Sequence, residues 1–247
     1  MEKINNLEVK PFINKKRQKI IKHSDLINIP YWCSLLVGKK GSGKTSVWGN
    51  LVLNTAIPKF TIVRIFSTTL QTDETMINIL KTFDKNKIEY ELYDSLYNDN
   101  KENILSKQFN EIMNEVEELS KSIEKSTISP VFYIYVIDDM SDVLRSKDLG
   151  KFITRHRHIK SCICLSSQFY YHFSPEIRYN LNLLLIFGDI GLDTLKQIYN
   201  EKINSKSLTF EKFLELYEDI TKIKYNFMYI NSDNLEIRKN FNYKINF

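Results

Sequence analysis

The sequence predicts an α/β fold, a mainly parallel central sheet flanked by helices, and three observations predict it. Short apolar, β-rich runs alternate with helical patterns from residue 31 to residue 187, as expected of strand–helix units whose strands pair in parallel. A glycine- and lysine-rich turn, "GKKGSGKT" at 38–45, separates the first such run from a helical segment, a strand-to-helix turn of the kind that wraps phosphate. The chain has 247 residues, 43% of them hydrophobic, enough apolar surface for one main core to offset the cost of ordering the chain.

The elements follow in order. Residues 1–25 carry seven Lys/Arg against three Asp/Glu and read as a basic arm. Six strands are expected: "YWCSLLV" (31–37), "FTIVRIF" (60–66), "IEYELYD" (88–94), "VFYIYVI" (131–137), "SCICLSS" (161–167) and "LNLLLIF" (181–187). A helix starts near Lys44. Another covers 101–125, where Leu105, Phe109, Ile112, Val116, Leu119 and Ile123 recur in steps of four and three, the stripe of a helix packed on a sheet. Residues 205–247 read as helices followed by a short β-rich tail packed on a core at 26–204. Their last 27 residues hold five Lys/Arg against two Asp/Glu. Basic ends on a near-neutral body suit a polyanion, although such runs are also ordinary solvated faces.

Other classes recede. No apolar run approaches the roughly 20 residues that cross a bilayer, and "MEKINNLEVKPF" lacks the apolar segment of a secretory leader. Cys33, Cys162 and Cys164 each fall inside an expected buried strand, where free cysteine acts as a small hydrophobe. An intracellular, reducing compartment is expected. Cys162 and Cys164 share a strand face but have no further ligands at zinc spacing.

The turn at 38–45 matches the phosphate-loop pattern through Gly38, Gly41, Gly43, Lys44 and Thr45. Three of the chain's seven glycines lie there. A backbone that folds around a phosphate must bring its N–H groups close and adopt dihedrals closed to most side chains. Gly38, Lys39, Lys40, Gly41, Ser42, Gly43, Lys44, Thr45 and Ser46 are therefore expected to bind a nucleoside triphosphate at a helix N-terminus. Lys44 places a point charge on the β and γ phosphates, and the Thr45 hydroxyl meets Mg²⁺.

Further along, "VFYIYVIDDM" ends an apolar strand in two carboxylates. Ligands gather at the carboxyl ends of parallel strands, which makes Asp138 the carboxylate on the Mg²⁺ side. Asp139 is placed to orient or deprotonate an attacking water. Gln168 closes the next strand with an amide able to donate and accept near the γ-phosphate. Charge on a transferring phosphoryl group is met by a guanidinium, often from a neighbouring subunit; Arg155, Arg157 and Arg178 are the candidates. His156 and His158 read as helix-end or surface residues.

Together, "GKKGSGKT", "VFYIYVIDD", "FITRHRHIKSCICLSSQ" and "EIRYNLNLLLIF" resemble the FtsK/HerA superfamily of P-loop ATPases, in particular the genome-packaging ATPases of large DNA viruses and virophages. The resemblance spans roughly residues 30–190. It implies a RecA-like ASCE core, ATP hydrolysis with Mg²⁺, and a homo-oligomeric ring, pentamer or hexamer. It further implies translocation of double-stranded DNA, without sequence preference, through a capsid vertex or portal component in the host cytoplasm or a viral factory. Lys44, Thr45, Asp138, Asp139 and Gln168 match the family's motif positions, and Arg178 its trans arginine. Many members carry Asp-Glu where this chain has Asp138-Asp139. A P-loop nucleoside or nucleotide kinase and a non-catalytic, nucleotide-gated assembly protein are the competing readings.

Overall fold

A computed structural model describes residues 2–3, 27, 29, 31–70, 72–121, 131–140, 144–205 and 207–247. Ten strands form one sheet: β1 Glu2–Lys3, β2 Cys33–Val37, β3 Thr61–Ser67, β4 Glu89–Tyr93, β5 Phe132–Asp138, β6 Ser161–Ser167, β7 Leu183–Phe187, β8 Phe227–Asn231, β9 Glu236–Lys239 and β10 Tyr243–Ile245. Their order is β1-β10-β9-β8-β7-β2-β6-β5-β3-β4. From β7 to β4 every pair is parallel; from β7 outward through β8, β9, β10 and β1 every pair is antiparallel. The six expected strands are thus the parallel half, and the β-rich tail extends the same sheet past β7. Apart from Glu2–Lys3, the basic arm lies outside the described residues.

Seven helices accompany the strands among the described residues: α1 Lys44–Thr55, α2 Glu74–Lys85, α3 Ile104–Lys121, α4 Lys147–Arg155, α5 Pro175–Asn180, α6 Leu192–Lys202 and α7 Phe210–Thr221. They sort by face. Trp48, Leu51 and Val52 of α1 and Met76, Ile79 and Phe83 of α2 share one core with Leu36, Val63, Ile65 and Val136. Leu105 and Ile112 of α3, Phe152 of α4, Ile198 of α6 and Phe213 of α7 share the other with Leu35, Val37, Tyr135 and Leu165. The central strands β2, β5, β6 and β7 are buried along their whole length, as parallel strands covered on both faces must be. Of the expected α3 stripe, Leu105 and Ile112 are buried and Phe109 packs at the core's edge. Val116 and Leu119 carry no described side chain and Ile123 lies outside the described residues.

Five strands start one or two residues later than expected, at Cys33, Thr61, Glu89, Phe132 and Leu183. Tyr31 takes a left-handed φ of 54° before β2, and Phe60 and Val131 remain 42% and 41% exposed, so each run begins a residue or two before pairing does. The cysteines are buried and free; burial pushes the Cys33 and Cys164 thiols up to about 12. Among the described residues no helix is long and apolar enough to cross a membrane.

Candidate active site

Parallel pairing puts the carboxyl ends of β2, β6 and β5 side by side, and the expected residues converge there. β6 lies between β2, which feeds the phosphate loop, and β5, which ends in Asp138. The Gly38 N–H donates to Ser167 O at 3.2 Å, tying the start of the loop to the end of β6. A Cβ at Gly38 would sit 2.7 Å from Phe187 Cβ and 2.8 Å from Ser42 Oγ, so only glycine fits. Gly41 and Gly43 adopt φ of 76° and 97°, the left-handed region glycine enters without steric cost.

The loop ends as a bare helix N-terminus. Side chains cap α2, α4, α5 and α7; α6 has no side-chain cap but carries Asp193 in its first turn, whereas α1, with Gly43 as its N-cap, has neither a side-chain cap nor an acid in its first turn. Its leading N–H groups and the positive end of its dipole are left for an anion. Lys44, 7% exposed, donates through Nζ to Gly38 O at 2.8 Å and Lys39 O at 3.0 Å, closing the loop on itself. Burial pushes this ammonium below the usual lysine range, while Asp139 and Asp138 pull it back up. Ser42 Oγ is buried without a hydrogen-bond partner, beside Gly38.

The acidic partner is positioned by β5. Asp138, 5% exposed, accepts at Oδ2 from Thr45 Oγ1 at 3.2 Å and from Trp48 Nε1 at 3.0 Å. Trp48 lies one helical turn beyond Thr45, so α1 presents both donors to the same carboxylate. Ser67, Asp138 and Ser166 are neighbours in strand register, and Ser166 Oγ is a second buried hydroxyl without a partner. One hydroxyl and one carboxylate make the sparse, all-oxygen donor set that Mg²⁺ takes while keeping several waters, so Thr45 and Asp138 fit the ion.

Asp139 is exposed and left-handed at φ 50°. Its N–H continues the pairing with Ser166 O at 3.1 Å, and its Oδ2 receives a long 3.4 Å contact from Gln168 Nε2. The pair therefore stands free at the rim of the cradle. Lys40 and Ser46 are exposed; the Lys39 ammonium lies 3.5 Å from Asp189 of the loop after β7, a surface pair of little energetic weight.

The arginines lie elsewhere. Arg155 and Arg157 are exposed at the end of α4 and in the turn before β6, at the amino end of the sheet. Arg178, expected to reach a neighbouring subunit, is 9% exposed. Its Nε and Nη2 grip Glu201 at 2.9 Å, and its Nη1 donates to Phe173 O at 2.6 Å. With its fork filled inside its own chain, Arg178 is a structural brace here and does not present its guanidinium outward. His156 is also no surface residue: it is 1% exposed, with Nδ1 2.6 Å from Ile153 O and Nε2 2.9 Å from Tyr31 O.

Sequence reasoning missed Trp48, Ser166 and Ser67. The signal for Trp48 was its helical spacing from Thr45; for Ser166 it was the polar end of an otherwise apolar strand.

A phosphate loop after one strand, an acid after another and a third strand inserted between them define a RecA-like P-loop NTPase. Comparison with known proteins makes this more particular. The chain belongs to the Poxvirus A32 protein family, whose model matches residues 18–241. None of the curated protein sequences matches it. Among solved structures it is similar to the genome packaging NTPase B204 of Sulfolobus turreted icosahedral virus 2 in complex with AMP, at 16% identity and TM-score 0.52 over 85% of this chain and 96% of that one. B204 of Sulfolobus turreted icosahedral virus, a DNA-packaging ATPase, matches at 19% identity and TM-score 0.52, covering 85% and 97%. EssC (ATPases 2 and 3) of Geobacillus thermodenitrificans matches at 15% identity and TM-score 0.53, covering 86% of this chain and 39% of that one. The solved structures share its fold, and the family is the one shown by the match over residues 18–241.

Proposed function

We propose that this chain is the ATP-hydrolysing motor that drives double-stranded viral DNA into a capsid. The observation that carries the proposal is the meeting of Thr45 with Asp138, 93 residues apart in sequence, at the open end of a glycine cradle. Family membership supports the packaging role, and B204 structures hold AMP and ATP-γ-S.

In this reading the loop N–H groups and Lys44 hold the phosphates, Lys44 exchanging the Gly38 and Lys39 carbonyls for phosphate oxygens. Thr45 and Asp138 would hold Mg²⁺, which supplies positive charge against the triphosphate when bound. Asp139 takes a proton from the attacking water, whose oxygen forms the new bond to the γ-phosphorus as the bond to the ADP oxygen breaks. Gln168, in contact with Asp139, orients that water. With Arg178 braced on Glu201, the trans guanidinium falls to Arg155 or Arg157 of an adjacent subunit in a homo-oligomeric ring. DNA is gripped through phosphates, as a motor indifferent to sequence requires.

The test is ATP hydrolysis across a titration of double-stranded DNA at two salt concentrations. The motor reading expects DNA to stimulate hydrolysis, less so at high salt, and Asp139→Asn to lower the rate about a hundredfold or more. Equal rates with and without DNA contradict it; phosphate transfer to a nucleoside points to a kinase, and full function of Asp139→Asn to a non-catalytic assembly protein.

A further inference from the structure

Tyr225 lies in the turn between α7 and β8 and is 58% exposed, beside Ile223 at 54%. A ring so open contributes little to the core, and its residue adopts a left-handed φ of 71°, which is uncommon for a bulky side chain and costs energy. Both features cost the fold without an evident return from packing. The ring is nevertheless placed against the phosphate loop: a Cβ at Gly43 would lie 3.2 Å from Tyr225 Cδ1.

That placement is held from both sides. On the α7 side, Tyr217 OH donates to Phe187 O at 2.8 Å and accepts from the Ile190 N–H at 3.0 Å, while Gly188 packs against Thr221. On the β8 side, Phe227 pairs in register with Phe187, their ring centroids 5.3 Å apart. Phe187 is also the residue that abuts Gly38. The turn bearing Tyr225 and the first glycine of the loop are therefore built on one anchor. Lys224 sets its ammonium 4.8 Å from the Tyr225 centroid, adding positive charge while ring surface stays open.

Taking the phosphate loop as a nucleotide site, as proposed above, we propose that Tyr225 is the platform on which the nucleobase of the bound nucleotide stacks. An aromatic face accepts any base without reading its edge, and an exposed ring rigidly tied to the phosphate cradle suits a ligand whose base and phosphates must be held at once.

The test compares binding of ATP and of inorganic tripolyphosphate, in magnesium buffer, to the full chain and to Tyr225→Ala and Tyr225→Phe. Tyr225→Ala is expected to weaken ATP about tenfold, the order of one base–aromatic stack, and to leave tripolyphosphate binding unchanged. Tyr225→Phe keeps wild-type affinity for both. Wild-type ATP affinity in Tyr225→Ala overturns the inference and leaves the nucleotide site standing. Equal losses for ATP and tripolyphosphate also overturn it, because the ring then only shapes the loop. A wild-type chain that binds neither compound removes the nucleotide site and this inference together.

Discussion

The two ends of the parallel sheet treat buried polar groups in opposite ways. At the amino end, Arg178 spends its fork on Glu201 and Phe173 O, Lys202 donates to Leu181 O at 2.6 Å, and Asn182 Oδ1 accepts from the Cys33 N–H at 2.8 Å. At the carboxyl end, Ser42 Oγ and Ser166 Oγ are buried without partners, α1 has no side-chain cap, and Asp139 stands exposed. A buried donor or acceptor left unpaired costs about 1–3 kcal/mol. The amino end avoids that cost within the chain, whereas the carboxyl end does not. Burial of a charged group is thus weak evidence of function; an unspent hydrogen bond beside a cradle is better evidence.

Substitutions at the two ends should have different consequences. The largest effect belongs to Lys44→Ala, which removes the cation from the cradle; ATP hydrolysis should fall about a thousandfold, the upper range for deleting one donor to a developing charge, with secondary structure unchanged by circular dichroism. Next, Glu201→Gln leaves the Arg178 charge uncompensated in a nearly closed site. Chemical denaturation should register a loss of about 3 kcal/mol, with nucleotide affinity retained by the folded fraction.

Lys202 gives a pH-dependent effect of somewhat smaller size. Burial pushes its ammonium down to about 8 from 10.5, so between those values the unfolded chain binds a proton that the folded chain has released, and stability attributable to this group rises with pH. Relative to Lys202→Met, the wild type should gain about 2 kcal/mol between pH 7.5 and 10. A constant difference between the two proteins across that range would show that Lys202 is not held in an unfavourable charged state. The smallest effect is Gly38→Ala: its new methyl meets Phe187 Cβ at 2.7 Å, which overpacks the loop and should cost about 1–2 kcal/mol in melting experiments, with weaker nucleotide binding as the loop shifts.

Legibility in the sequence follows the same division. The phosphate loop is local: glycines, lysine and threonine act within eight residues, so Gly38 to Thr45 could be read directly. Asp138 and Asp139 were legible because an apolar strand announces where its carboxyl end lies. Local periodicity also marked the six parallel strands and α3. The antiparallel extension β8–β10 was read only as a β-rich tail, since nothing within short strands such as "EIRK" at 236–239 says which edge they join. Arg178 was misplaced because its partner, Glu201, comes from another helix, and a motif position carries no information about what a side chain meets across space. Tyr225 was invisible for the same reason: it reaches Gly43 only through the pairing of β7 with β8.

The most direct measurement is to take Lys44→Ala and Glu201→Gln through ATP hydrolysis and thermal melting in parallel. The expected result is crossed: Lys44→Ala loses turnover while keeping its melting temperature, and Glu201→Gln loses melting temperature while its folded fraction keeps turnover. Turnover that survives in Lys44→Ala, or is lost from fully folded Glu201→Gln, would contradict it.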